Sequence, residues 1–416
     1  MKLSQQSKDT IQSSLNGATS DSGTGIPGIA FAAIDRSGAY LTTNVSGVRS
    51  SSGKEPMKLD TVMWIASLTK LITVIACMQL VEQGKLALDD SKQIFELIPE
   101  LKDVKYLDEH MNLVERKGDF TLRMLLTHTA GYSYAFFNER LRDYGVVPDH
   151  TAESYFQQPL VHQPGSTFSY GINIDFVGLL VERTSGLKLN TYVQKNVFEP
   201  LSIQDISLVP PKEMRDRLAI QHFRGADGML QEGEHLLSYA LKDDDSVFHS
   251  GGGGCFGSIE EYLSNSRDGT LLTLDEELLA MLLNDGKSPT TGVQVLRPET
   301  VDIMFENQME DQPDFGRTPI ETAIPILTNT IDQLYPQEGN PPQGWSFGGF
   351  LTLEPAATGR GKHTLWWAGL ANLYWWCDRE NGVAGLIGSQ ILPFWDQKVL
   401  SQWHTCEKAV YDGLEK

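Results

Sequence analysis

Residues 64–90 read WIASLTKLITVIACMQLVEQGKLALDD. Apolar side chains at 68, 71, 72, 75, 76 and 78 cover most of a helical circumference, so the segment predicts a helix buried on nearly all sides and stopped at Gly84. Such a helix has to lie between other layers. Upstream, IAFAAID (29–35) and AYLTTNV (39–45) flank Arg36-Ser37-Gly38 and read as a hairpin. Downstream, residues 106–290 change to helices and long loops, including LRMLLTHTAGYSYAF, NIDFVGLLVERTSG and DEELLAMLLNDG. Residues 306–344 are rich in Pro, Asn and Gln and read as a surface excursion. Strand-like text returns in SFGGFLTLE (346–354), TLWWAGLANLYWWCD (364–378) and GVAGLIGSQIL (382–392), before a last helix, WDQKVLSQWHTCEKAVYDGL. Strands at both ends, joined by tight turns, predict an antiparallel sheet and an α+β fold. The expected organisation is a discontinuous catalytic domain, 1–105 plus 291–416, interrupted by a mainly helical insertion, 106–290, with the active site between them.

Composition excludes classes without selecting a function. The 416 residues carry 34 basic and 54 acidic side chains, a net charge of −20. With a pI near 4.8 and no basic run, nucleic acid and anionic membrane are not expected partners. No run of about 18 apolar residues indicates a membrane span, and the polar N-terminus lacks a signal-peptide core. The four cysteines, Cys77, Cys255, Cys377 and Cys406, are scattered without metal-site spacing. A reduced, cytoplasmic protein without metal or cofactor is expected.

Several catalytic motifs compete. Gly23/Gly25/Gly28 and Gly252/Gly254/Gly257 fit G-x-G-x-x-G, but neither lies between a buried strand and a helix. Gly344-Trp345-Ser346-Phe347-Gly348 fits the nucleophile elbow G-x-S-x-G, with Asp378 and His404 in the right chain order. Yet GNPPQ precedes it and strand-like text follows, where the elbow needs a strand and then a helix. S-x-x-K occurs at Ser51/Lys54, Ser67/Lys70 and Ser185/Lys188. Only Ser67 opens an apolar helix with its lysine one turn on, on the same face. There a desolvated lysine loses part of its hold on a proton and can deprotonate the serine. The residues alone equally allow a capping serine and a snorkelling lysine.

Three ordered motifs separate these readings. WIASLTKLITVIACMQLVEQGKLALDD, LRMLLTHTAG and FSYGINIDFVGLLVERTSGLKL together resemble the serine β-lactamase and penicillin-binding-protein superfamily. Further echoes in THTAGYSYAF, SFGGFLTLE and LLNDG…LRPETVDIMF extend the likeness over residues 25–415. Within it the chain is most similar to the esterase and transesterase branch, which includes the fungal polyketide acyltransferase of the lovastatin pathway. The resemblance implies Ser67 as the acylated nucleophile, Lys70 as its activator and Tyr170 as the proton-exchanging tyrosine, its acidity raised by Lys70. It further implies the backbone N–H groups of Ser67 and Leu370 as an oxyanion hole. Tyr134, Asn173, Trp367 and Gly369 are implied on the substrate side.

Two departures narrow the substrate. Trp367 stands where the family's third motif has a lysine that recognises carboxylates, which argues against β-lactams and peptidoglycan stems. Asn173 lies three residues after Tyr170, where β-lactamases place an asparagine at two, so an N-cap role for it is equally open. Seven of the eight tryptophans lie within the last 72 residues, and Trp366 and Trp367 adjoin the third motif. The expected activity is acyl transfer from an ester or thioester to the hydroxyl of a small hydrophobic natural product, with an acyl-carrier protein as a candidate donor. The alternatives are a carboxylesterase with the same residues, and an inactive binding module.

Overall fold

The computed structural model describes residues 1–145, 151–242, 247–263 and 278–415. The main elements, in chain order, are α1 (Gln5–Ala18), β1 (Gly28–Asp35), β2 (Tyr40–Gly47), α2 (Thr69–Glu82), α3 (Asn173–Ser185), α4 (Ile259–Leu263), α5 (Leu278–Leu283), β3 (Gln343–Ser346), β4 (Gly349–Thr352), β5 (Thr364–Gly369), β6 (Leu373–Asp378), β7 (Val383–Gly388) and α6 (Gln397–Asp412). The seven strands form one antiparallel sheet in the order β3-β4-β5-β6-β7-β1-β2. Consecutive strands therefore pair locally, and the single long-range pairing is β7 with β1, where Gly388 opposes Ala30 and Val383 opposes Asp35. Every residue of β1, β5, β6 and β7 is buried, so helices cover both faces. This is the expected α+β architecture.

α1 and α6 pack against each other, and α4 and α5 lie on the strands β1, β6 and β7. The sequence reading passed over α1 because its apolar stripe is only Ile11 and Leu15, both fully buried, on an otherwise polar helix. Its N-terminus is marked by Ser4, whose hydroxyl accepts from the Ser7 amide at 3.2 Å. α2 is the central helix that residues 64–90 predict: all twelve residues from Thr69 to Leu80 are buried. Of the segment DEELLAMLLNDG, Leu278–Leu283 is helical and residues 275–277 lie outside the described residues. Among the described residues no helix is long and apolar enough to cross a membrane.

Residues 306–344 lie largely at the surface, as expected, but are anchored by buried side chains. Met309, Ile331, Leu334, Tyr335 and Gln343 are buried, and the segment is tied to the molecule where the Ala323 amide donates to the Phe136 carbonyl at 2.9 Å. Its Pro, Asn and Gln content accounts for the lack of regular structure, while its apolar positions are set by contacts with the rest of the molecule. The apolar side chains spaced along it turn inward and build one wall of the cavity described below.

Candidate active site

Ser67 sits on a short 3-10 turn, Ala66–Leu68, that feeds directly into α2. Ala66 has φ +47°, a left-handed conformation that costs a non-glycine residue about 1–3 kcal/mol. The turn is wedged against β5: a Cβ on Gly369 would lie 2.8 Å from the Ile65 carbonyl oxygen. Glycine at 369 thus lets the end of β5 and the following Leu370 approach the serine. Ser67 and Leu370 both line a cavity of about 280 Å³.

Lys70, one turn along α2, is 2% exposed. Its Nζ lies 3.1 Å from Ser67 Oγ, 3.0 Å from the Tyr134 hydroxyl and 2.6 Å from the Gly252 carbonyl oxygen. It also stands 4.7 Å from the centre of the Tyr170 ring. Burial pulls the ammonium down to about 7, against a smaller opposing pull from the Asp175 carboxylate. A neutral amine has two N–H bonds and one lone pair. The Gly252 carbonyl can only accept and so takes one N–H. The lone pair is then free to receive the Ser67 proton while the second N–H serves Tyr134.

Tyr134 and Tyr170 meet because their loops touch at backbone level. A Cβ on Gly171 would lie 2.4 Å from the Ser133 Cα, and the two tyrosine rings are 5.5 Å apart. Trp367 Nε1 donates to the Tyr170 hydroxyl at 2.7 Å. The tryptophan therefore supplies a neutral donor at the position where the sequence departs from lysine. The expectation that Lys70 would make Tyr170 more acidic is not met. Burial pushes the phenol up, outweighing its hydrogen bonds to Ser67 and Trp367, so Tyr170 is a neutral phenol. The physical reason is that the cost of desolvating a phenolate in this pocket exceeds what its hydrogen-bond donors return.

Asn173 neither lines the cavity nor caps a helix. It is the first residue of α3, preceded by Ile172, and its amide lies 2.9 Å from His128 Nδ1, which also accepts from the Gly171 amide at 3.3 Å. His128 is buried and held neutral by desolvation, with Lys70 opposing its charge further. It is a structural histidine that fixes the turn carrying Tyr170, with their rings 4.7 Å apart. The Gly251–Gly254 run is a closely packed loop: a Cβ on Gly251 would lie 2.9 Å from the Ile174 carbonyl oxygen of α3.

The cavity wall is apolar. Tyr134, Phe136, Leu237, Ile320, Leu327 and Trp366 contribute to it, and among the described lining residues none is Arg, Lys or His. The wall holds one carboxylate, Asp175, which the sequence reading missed. The available signal was an acid flanked by Ile174 and Phe176 near the start of an apolar helix. The elbow residues do not assemble. Ser346 is fully buried and its hydroxyl donates to the Met304 carbonyl, Asp378 accepts from the Gly361 amide at 2.8 Å and the Tyr411 hydroxyl at 2.8 Å, and His404 stacks on Trp403.

Comparison with known proteins places this arrangement. A model of the beta-lactamase family matches residues 15–399. Monacolin J acid methylbutanoyltransferase of Aspergillus terreus is 32% identical over 408 residues, spanning 93% of this chain and 92% of its own. Lovastatin esterase of Penicillium rubens is 31% identical over 387 residues, spanning 88% of this chain and 90% of its own. Among solved structures, a mutant of simvastatin synthase from Aspergillus terreus matches with a TM-score of 0.78 at 29% identity, covering 98% of this chain and 95% of its own.

Proposed function

The chain belongs to the beta-lactamase family, and from that membership we propose that it is a serine acyltransferase working through an acyl-Ser67 intermediate. The observation that carries the reading is the contact of Ser67 Oγ, which lines an apolar cavity, with a buried, weakly basic Lys70. In the proposed reaction Ser67 Oγ attacks the carbonyl carbon of an ester or thioester and its proton passes to Lys70. The oxyanion is taken by the backbone N–H groups of Ser67 and Leu370. Collapse expels the alcohol or thiol, which leaves with a proton relayed through the Lys70, Tyr134 and Tyr170 group. An acceptor hydroxyl then attacks acyl-Ser67, returning its proton along the same path and restoring the serine. An acyl-carrier protein remains a candidate donor, and cytoplasmic residence is part of the reading, supported by four buried free cysteines. The division into 1–105 plus 291–416 and 106–290 is retained as well, supported by a sheet whose seven strands all come from the first part.

Monacolin J acid methylbutanoyltransferase is named for an acidic acceptor, but the absence of a cation among the described lining residues of this cavity favours a neutral one. A carboxylate entering such a wall would lose its water without gaining a partner. The test offers a short-chain acyl thioester with a bulky alcohol, supplied as the neutral methyl ester or as the free carboxylate, and quantifies transferred ester against released acid. Transfer should exceed hydrolysis, and the neutral acceptor should be preferred by about tenfold or more, equivalent to ~1.4 kcal/mol. Hydrolysis at a rate indifferent to every acceptor would replace transferase by carboxylesterase, the reading favoured by similarity to lovastatin esterase.

The lysine sets the pH dependence. A base must be deprotonated to act, so kcat/KM should rise with pH through about 7 as Lys70 loses its proton, then stay level. No fall from ionisation of Tyr170 is expected over the neutral and mildly alkaline range, because burial raises that phenol. Lys70→Ala should remove the rising limb and lower kcat by about 10²–10⁴-fold. Wild-type rates in that variant would exclude Lys70 as the base.

A further inference from the structure

Three successive carbonyls of the glycine loop each receive a donor from residues 64–73. Thr73 Oγ1 donates to Gly251 at 2.8 Å, Lys70 Nζ to Gly252 at 2.6 Å and Trp64 Nε1 to Gly253 at 2.7 Å. The loop is gripped from the other side by Asp175, which is 1% exposed. One carboxylate oxygen accepts both from Ser250 Oγ at 2.5 Å and from the Gly252 amide at 3.0 Å. The other oxygen lies so close that a Cβ on Gly252 would come within 2.4 Å of it. Residue 252 thus connects Asp175, through its N–H, with Lys70, through its C=O. Resting on the assignment of Lys70 as the base, we propose that Asp175 is a positioning residue for that lysine: it holds the Gly252 peptide against Nζ and supplies the negative charge that opposes loss of the lysine proton.

The groups facing the pair are few. The 3-10 turn before α2 contributes Ser67, α2 Lys70, the 128–137 segment His128 and Tyr134, the loop before α3 Tyr170, and β5 the neutral indole of Trp367. His128 is held neutral, and burial raises both tyrosines, so Asp175 is the only anion on this cavity wall among the described residues. Burial raises the Asp175 carboxyl above its usual range, and Lys70, with the hydrogen bonds from Ser250 and Gly252, pulls the other way toward the charged form. Asp175 is thus the one carboxylate among the described lining residues that opposes the drive of burial to strip the lysine proton.

The deciding variant is Asp175→Asn, which keeps an oxygen to accept from Gly252 and Ser250 and removes the charge. Its rising limb of kcat/KM should move to lower pH by about one unit relative to wild type, as expected for losing an opposite charge near a buried base. A purely structural role would lower kcat and leave the limb where it was, and that result would overturn the proposal. If Asp175→Asn is not recovered folded, Asp175→Ser removes the same charge with a smaller hydrogen-bonding group, and the same limb is read. Failure of the underlying assignment looks different: the wild type would then show no limb near neutrality, and Lys70→Ala would retain its rate. Thermal midpoints, measured alongside, separate loss of the loop anchor from loss of the charge.

Discussion

Ser67→Ala should lower acyl transfer and ester hydrolysis by about four to six orders of magnitude, while Ser346→Ala keeps most of the activity. The two serines carry competing motifs, and their surroundings differ in the one respect that matters to a nucleophile. Ser67 opens onto the cavity with a buried amine 3.1 Å from its oxygen, so its proton has somewhere to go. Ser346 has no exposed surface, and its proton is committed to the Met304 carbonyl, which cannot take it up. Alanine at 67 leaves the cavity, Lys70 and both tyrosines in place but removes the atom that would become acylated. The measurement is the burst and steady-state release of p-nitrophenol from a short-chain ester, with intact-mass detection of the acyl adduct. An adduct persisting in Ser67→Ala and missing in Ser346→Ala would transfer the assignment to the elbow.

Glu407→Gln should destabilise the protein by about 3–5 kcal/mol, a large part of the ~5–15 kcal/mol that holds a folded domain together. Arg360 and Glu407 form an ion pair whose side chains are 0% and 1% exposed. The guanidinium lies 4.9 Å from the Tyr335 ring, 5.0 Å from Trp403 and 5.4 Å from Trp366, so aromatic faces surround a cation paired with Glu407. The amide leaves that cation buried and unpaired. A double variant, Arg360→Met with Glu407→Leu, should recover much of the loss, because removing both charges also removes the desolvation penalty. Urea midpoints and thermal midpoints of the single and double variants check this; a single variant within about 1 kcal/mol of wild type would refute it. Since Trp366 also lines the cavity, the single variant should raise KM for a bulky acceptor as well.

The site was legible in proportion to how local its contacts are. Ser67 and Lys70 are one helical turn apart, and a buried helix puts them side by side whatever surrounds it. Tyr170, Tyr134 and Trp367 were found through a family's motifs, since nothing in their spacing shows that the Trp367 indole would donate to a phenol 197 residues away. Asp175, Ser250 and Gly252 went unread as a unit, because their link to Lys70 is a chain of hydrogen bonds spanning 182 residues. Asn173 shows the reverse error: the motif placed it near substrate, and its amide instead meets His128. The cavity-lining role of the 306–344 segment was not legible for a related reason. Composition reports which groups a segment carries, and the inward turn of Ile320, Leu327 and Ile331 depends on the rest of the molecule.

Periodicity, turn residues and ordered motifs were sufficient for the α+β class, the buried central helix, the serine–lysine pair and the absence of a carboxylate-binding lysine. The helix and the serine–lysine pair depend on residues within a few positions of one another, where backbone geometry dictates proximity, and the missing lysine was read through the family's ordered motifs. The protonation states were decided only by the fold. Whether Lys70 is an amine or an ammonium, and whether Tyr170 is acidic or inert, depends on how much water and how much opposing charge remain around them. Both are properties of the packed site, set by segments that meet only when the whole chain has folded.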